Sequence, residues 1–398
     1  MFMGILKIKS IEDKRNKKRS NKKIGIVTFH CAENFGAYLQ TFALQKWLQM
    51  KIGTELDVTI INYRPSYLIL PYKIRIRDQI NKETSIIGKS KKIIITLVEI
   101  PYKILKKRRF RQAEKLLTLT SPYYSNEILL DDSYKVLILG SDQIWNTELT
   151  HGVDKVYFGA IAGQNCKKFA YAASVGLPDY SLLEKKQIKM YLSQLSSVGV
   201  REKESVKILQ PLCDCPIEVN LDPTLLVAPI LWNQYIRKVK YNDYILVYRV
   251  SDDSRILQDA YKVAKKYKKI ILHFGEPSLK PIFPDVIVKS LAYCGPFDFV
   301  SYISSASLIL TDSFHATCFS VIFRKRFYTY LQTSRSERLR TLANIGNFEE
   351  RLIECGENLD AHQLNNIFSS CGKDYNSKFV SVRKQSEKFL LKELEGIK

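Results

Sequence analysis

Near residue 230 this chain begins its pattern a second time. Before that point, short apolar runs alternate with segments whose apolar residues recur at helical spacing. The runs are KIGIVTF (23–29), VTIINY (58–63), KVLILG (135–140), KKFAYAAS (167–174), SSVGVRE (196–202) and IEVNLDPTLL (217–226). A linker helix in ILWNQYIRKV follows, and the series restarts with YILVYRV (244–250), KIILHFG, DVIVKSL, SLILTD and FYTYL (327–331). Strands that alternate with helices imply parallel sheets with βαβ crossovers. The spacing predicts helices over 35–51, with Leu39, Phe42, Ala43 and Trp47 on one face, near 181–194, over 254–267, from Pro296, and over 378–395. Two such series imply two α/β domains, 24–229 and 230–398, the second closing with the terminal helix. A length of 398 residues accommodates them at roughly 150 residues per domain. Such a pair encloses a cleft, the usual place for a small-molecule site.

Charge sets the second constraint. Lys and Arg number 62 against 40 Asp and Glu, a net +22, so an anionic partner is expected. Residues 7–23 carry nine Lys or Arg against Glu12 and Asp13, and residues 72–115 carry fourteen against four acids. Residues 1–23 thus form a basic N-terminal arm without apolar period. Residues 72–115 form a basic helical insertion in the first domain, with Pro101 expected to divide it into two helices. A basic amphipathic helix suits the surface of an anionic membrane; equally, it can lay its apolar face on the core. No nucleic-acid-binding motif accompanies the charge. No apolar run approaches the ~20 residues that span a bilayer, and MFMGILKIKS makes a poor signal peptide. Eight cysteines show no disulfide framework or paired C-x-x-C, and Cys213 and Cys215 form only a C-x-C, so a reducing cytosol is expected. Five histidines without clustered acids make a built-in metal site unexpected.

Four loops at strand ends hold more polar, Gly and His residues than a connection requires. Thr311-Asp312-Ser313-Phe314-His315 places a histidine where a helix begins, and helix N-termini favour anions. A histidine there can bind phosphate or exchange a proton near neutral pH. The plainer alternative is that Ser313 or Asp312 caps the helix and His315 fills space. Arg201 follows an apolar strand and suits bidentate phosphate or carboxylate binding, or an ordinary ion pair with Glu202 or Glu204. Gly140-Ser141-Asp142 offers a close backbone approach and a carboxylate that can take a hydroxyl proton, or simply a cap. In His30-Cys31-Ala32-Glu33-Asn34-Phe35-Gly36, Asn34 and Gly36 shape a tight turn. Cys31 paired to His30 as a nucleophile is unsupported, because adjacent residues at a strand end point apart.

In order, GIVTFHCAENFGAYLQTFAL, VLILGSDQIWN, FAYAASVG, VGVREKESVKIL, VNLDPTLL and LILTDSFHATCFSVIF resemble the polysaccharide pyruvyl transferase family over about residues 24–345. Six segments in register are far more specific than any one. The resemblance implies two Rossmann-like domains facing a cleft, similar to the GT-B glycosyltransferase architecture. It implies transfer of a pyruvate ketal from phosphoenolpyruvate, with no cofactor, to a sugar of a cell-surface polysaccharide or its polyprenyl-linked precursor. The enzyme would then work in the cytoplasm, peripherally at the membrane face. By the family's pattern His315 and Asp142 are the catalytic candidates, and Arg201, Ser313, Asn34 and Gly36 the substrate-binding ones. Arg201 and His315 are expected to converge on one anion. The family usually has glycine where this chain has Ala316, a methyl that would narrow a ligand's approach to the helix start. The alternatives are a sugar-nucleotide glycosyltransferase of the same architecture and a non-catalytic membrane-docking protein.

Overall fold

A computed structural model of the chain describes residues 22–53, 56–73, 86–275, 282–333, 336–368 and 373–397. The basic arm lies outside them except for Lys22 and Lys23, as do residues 74–85 of the basic insertion. Two parallel six-stranded sheets make up the fold. The first holds β1 (Lys23–Val27), β2 (Asp57–Ile60), β3 (Tyr134–Leu139), β4 (Lys167–Ala173), β5 (Val198–Val200) and β6 (Ile217–Val219), ordered β2-β1-β3-β4-β5-β6. The second holds β7 (Tyr244–Tyr248), β8 (Ile270–His273), β9 (Val288–Ser290), β10 (Leu308–Thr311), β11 (Phe327–Tyr330) and β12 (Leu352–Ile353), ordered β12-β11-β10-β7-β8-β9. Strands such as YKVLIL and YILVY are nearly unbroken apolar runs because helices cover both faces of a parallel sheet. The strand order reverses between β1 and β3 in the first sheet and between β7 and β10 in the second. Crevices at such reversals are where open α/β sheets bind ligands.

The helix Phe35–Ile52 was expected to bury one face. Instead 14 of its 18 residues are buried. It lies where the halves meet: Phe42 packs on Trp232, Tyr235 and Phe297, and Phe35 on Tyr248, Phe274 and Phe299. One apolar cluster therefore runs from the first sheet into the second. Most of the helix's buried polar groups find partners, as burial demands, though Gln40 Oε1 has none. Gln45 donates to the Thr118 carbonyl at 2.9 Å and accepts from the Thr118 N–H at 3.0 Å. Gln40 donates to Thr28 Oγ1 at 2.8 Å.

Three further expectations change. The basic insertion is one continuous helix, Ile86–Glu114, with Pro101 inside it. Proline forfeits a single i→i−4 bond, and here that loss does not divide the helix. The linker helix is short, Pro229–Asn233. The terminal helix Val380–Glu393 crosses back onto the first sheet, where Phe389 meets Phe169 and Tyr171 and Glu393 pairs with Lys167 at 3.1 Å. Cys213 and Cys215 are joined as a disulfide, the one bridge among the described residues. No described helix is long and apolar enough to cross a membrane.

Candidate active site

A cleft of about 420 Å3 opens where the two strand-order reversals face each other. Phe29, Ala32 and Asn34 line it from beyond β1, Asp142 and Gln143 from beyond β3, Val250 and Ser251 from beyond β7, and Asp312 to His315 from beyond β10. Each loop was marked out in the sequence except that after β7.

His315 sits in the first turn of the helix Phe314–Ile322, only 8% exposed. Ser313 caps that helix, accepting from the Ala316 N–H at 3.4 Å, so its side chain serves the backbone. Asp312 is likewise committed: it accepts from the Val250 N–H at 2.6 Å and the Ser251 N–H at 2.9 Å, holding the loop beyond β7. The imidazole of His315 lies against the first helix at Gly36, where a Cβ would stand 2.0 Å from Nδ1. Gly36 is therefore a close-packing position for the histidine. Asn34 lines the cleft and caps that helix by accepting from the Ala37 N–H at 3.2 Å.

Arg201 does not reach the cleft. Its side chain is 1% exposed, 4.6 Å from the Phe314 ring, and bonded to Asp222 Oδ2 at 3.0 Å and Asp142 Oδ1 at 3.4 Å. Burial opposes its charge, but Asp142, Asp222 and Glu202 outweigh that and raise its pKa. His315 Nε2 lies 3.4 Å from the same Asp222 oxygen, without the alignment of a hydrogen bond. Arg201 and His315 thus meet at one anion, and that anion belongs to the chain.

Asp222 is the residue the sequence reading passed over. Fully buried, it caps the short helix Pro223–Leu226 through Thr224, whose N–H and hydroxyl it accepts at 2.9 and 2.7 Å. Burial raises its carboxyl, but His315 and Arg201 outweigh that and hold it well below the usual carboxylate range. Its signals in the sequence were its place in the family-like segment VNLDPTLL and an Asp-Pro that reads as a cap. Arg338 also lines the cleft without having been anticipated. Asp142 lines the cleft with a slightly exposed side chain, its Oδ1 also accepting from the Gln143 N–H at 2.9 Å. Ala316 is fully buried in the apolar cluster, so its methyl faces the core instead of narrowing the cleft. His30 is bonded to Asn62 at 3.0 Å, and burial holds its pKa down to about 4. The Cys31 thiol is pushed up to about 11 by burial, which fits no nucleophile. Among the described residues no group of three His, Cys, Asp or Glu could hold a metal ion.

The family model for polysaccharide pyruvyl transferases matches residues 34–332, well over half of the chain, taking in Asn34 of the loop beyond β1 and the cleft loops beyond β3, β7 and β10. The chain belongs to that family. No curated protein matches. Among solved structures, a protein described as a UDP-N-acetylglucosamine 2-epimerase from Listeria monocytogenes is 11% identical, with a TM-score of 0.50 over 94% of this chain and 96% of that one. UDP-GlcNAc 2-epimerase from Neisseria meningitidis is 13% identical, with a TM-score of 0.48 over 94% and 99%. The likeness to the Listeria protein concerns the fold alone: with its two parallel six-stranded sheets, this pyruvyl transferase family member has the two-domain, GT-B-like α/β architecture.

Proposed function

We propose that the chain transfers pyruvate from phosphoenolpyruvate to two hydroxyls of one sugar residue, forming a cyclic ketal. The acceptor is a cell-surface polysaccharide precursor on a polyprenyl carrier, met at the cytoplasmic face of the membrane. The observation that carries this reading is His315 at a helix start, backed by ionised Asp222 and sharing one cleft with Asp142. The donor's phosphate suits the N-terminal turn of the helix Phe314–Ile322. His315 delivers a proton to the vinyl carbon, which leaves a cation-like centre at the carbon bearing the phosphate. One sugar hydroxyl attacks it and gives its proton to Asp142. The carbon–oxygen bond to phosphate breaks, and the second hydroxyl adds to close the ketal. Of the two hydroxyl protons, one balances the new methyl and one leaves on phosphate. Arg201 acts from behind, holding Asp142 and Asp222 in place.

The membrane expectation is supported by part of the basic helix. Ile93, Leu97 and Leu105 are exposed, whereas Ile100 is half-buried and the Ile94 side chain is outside what is described. Of the cluster 106–109, Lys106 lies over Phe35 and Phe110, and Arg109 pairs with Asp298 at 3.2 Å. Those two charges face the protein; Arg108 is exposed.

Phosphate release from phosphoenolpyruvate, assayed against polyprenyl-linked saccharides, tests the function. Release with none of them, or thermal stabilisation by UDP or GDP but not by phosphoenolpyruvate, would overturn it.

A further inference from the structure

Beside the catalytic cleft lies a second cavity of about 420 Å3, for which pyruvyl transfer alone provides no task. The two cavities share Ala32 and Tyr72 as lining residues, so they adjoin. Four cations line the second one: Arg64 beyond β2, Lys73 after the turn Leu70–Tyr72, and Lys107 and Arg111 on the basic helix. Two carboxylates stand among them, and one of these, Glu114, is already paired with Arg64. The other is Glu33, whose carboxyl burial raises against the opposing pull of Lys106, Lys107 and Arg111.

The helix that supplies two of these cations has a second property. At about 100° per residue, Ile93, Leu97, Ile104 and Arg111 fall on one narrow stripe, with Lys107 at its edge. Ile93, Leu97 and Ile104 are 40%, 61% and 53% exposed. The stripe is thus apolar along most of its length and basic where it borders the cavity.

We propose that this cavity binds the diphosphate of a lipid-linked acceptor. Its sugar reaches past Ala32 and Tyr72 into the cleft, and its isoprenoid lies along the apolar stripe. Two adjacent phosphoryl groups match a cavity lined by Lys and Arg, which bind such oxygens by charge-assisted hydrogen bonds. An isoprenoid matches an exposed apolar stripe that continues from those cations. The sugar's place in the scheme rests on the pyruvyl transfer reading; the diphosphate site does not.

Calorimetric titration at fixed low salt tests the proposal with three probes: farnesyl diphosphate, inorganic pyrophosphate and UDP. Farnesyl diphosphate should bind most tightly, and Lys107→Gln with Arg111→Gln should weaken it about tenfold or more, the loss of roughly one charge-assisted bond. The charge-keeping pair Lys107→Arg with Arg111→Lys should retain affinity within about threefold, with melting temperature checking the fold of both. Leu97→Gln with Ile104→Gln should remove the advantage of farnesyl diphosphate over pyrophosphate. Wild-type affinity in the neutral pair would overturn the site. Equal affinity for pyrophosphate and farnesyl diphosphate, or tighter binding of UDP, would overturn the lipid as its source. Stabilisation by phosphoenolpyruvate is measured in parallel; its absence beside intact farnesyl diphosphate binding would defeat the donor reading and leave this site standing.

Discussion

Replacing Gly36 by alanine should disable the enzyme while leaving the fold nearly untouched. The added Cβ would stand 2.0 Å from His315 Nδ1, 2.5 Å from Cγ and 2.6 Å from Cε1. Ordinary contact begins at about 3.4 Å, so the imidazole must retreat by about 1.4 Å. Its 3.4 Å approach to Asp222 cannot survive a shift of that size. The stability terms oppose each other: alanine is about 1 kcal/mol better than glycine inside a helix, whereas overpacking costs about 1–3 kcal/mol. The net destabilisation is then at most about 2 kcal/mol, a few degrees of melting temperature. A misplacement of about 1 Å, by contrast, can cost about 10²-fold in rate. Thermal unfolding and phosphate release, measured on the same preparation, separate the two effects. Full turnover in Gly36→Ala would refute the reasoning, and so would a loss of activity that merely follows unfolding.

Four other outcomes are expected. His315→Ala should lower turnover by about 10²-fold or more with the fold intact, and kinetics beside circular dichroism will show whether it does. Arg201→Lys should destabilise the fold by about 3 kcal/mol, because a lysine cannot hold two buried carboxylates at once; an unchanged urea midpoint would mean that the clamp contributes little. His30 and His273 are both held down by burial to about 4, so the unfolded chain takes up their protons first as pH falls. Each contributes stability that is present above about pH 6.5 and lost towards pH 4, about 3 kcal/mol apiece at most; urea titrations at pH 7, 5.5 and 4 should show that decline. Arg108→Glu with Lys115→Glu should weaken sedimentation with anionic vesicles by about 2 kcal/mol or more, and binding that ignores salt would rule out electrostatic docking.

Periodicity and composition were enough to determine an α/β fold with two series of strands, and most of the strands themselves. A parallel sheet covered on both faces writes itself as short apolar runs between helical ones. The loops beyond β1, β3 and β10 were legible too, because His, Asp and Gly at strand ends exceed what a turn needs. Pairings between those loops were not legible. Arg201 lies 21 residues from Asp222, 59 from Asp142 and far from His315, and no local pattern states which partner a buried guanidinium will take. The sequence therefore suggested an arginine open to a ligand, whereas folding sealed it behind Phe314 against two carboxylates. Gly36 likewise looked like a turn residue until the second half of the chain laid His315 across it. The first helix appeared one-sided because helical spacing reports only the strongest apolar face. Its remaining faces are buried by Trp232, Phe297 and Phe299, which reach it only once the second sheet has formed. Local sequence sets each segment's preferred conformation, while long-range packing decides which side chains end up sharing a buried charge.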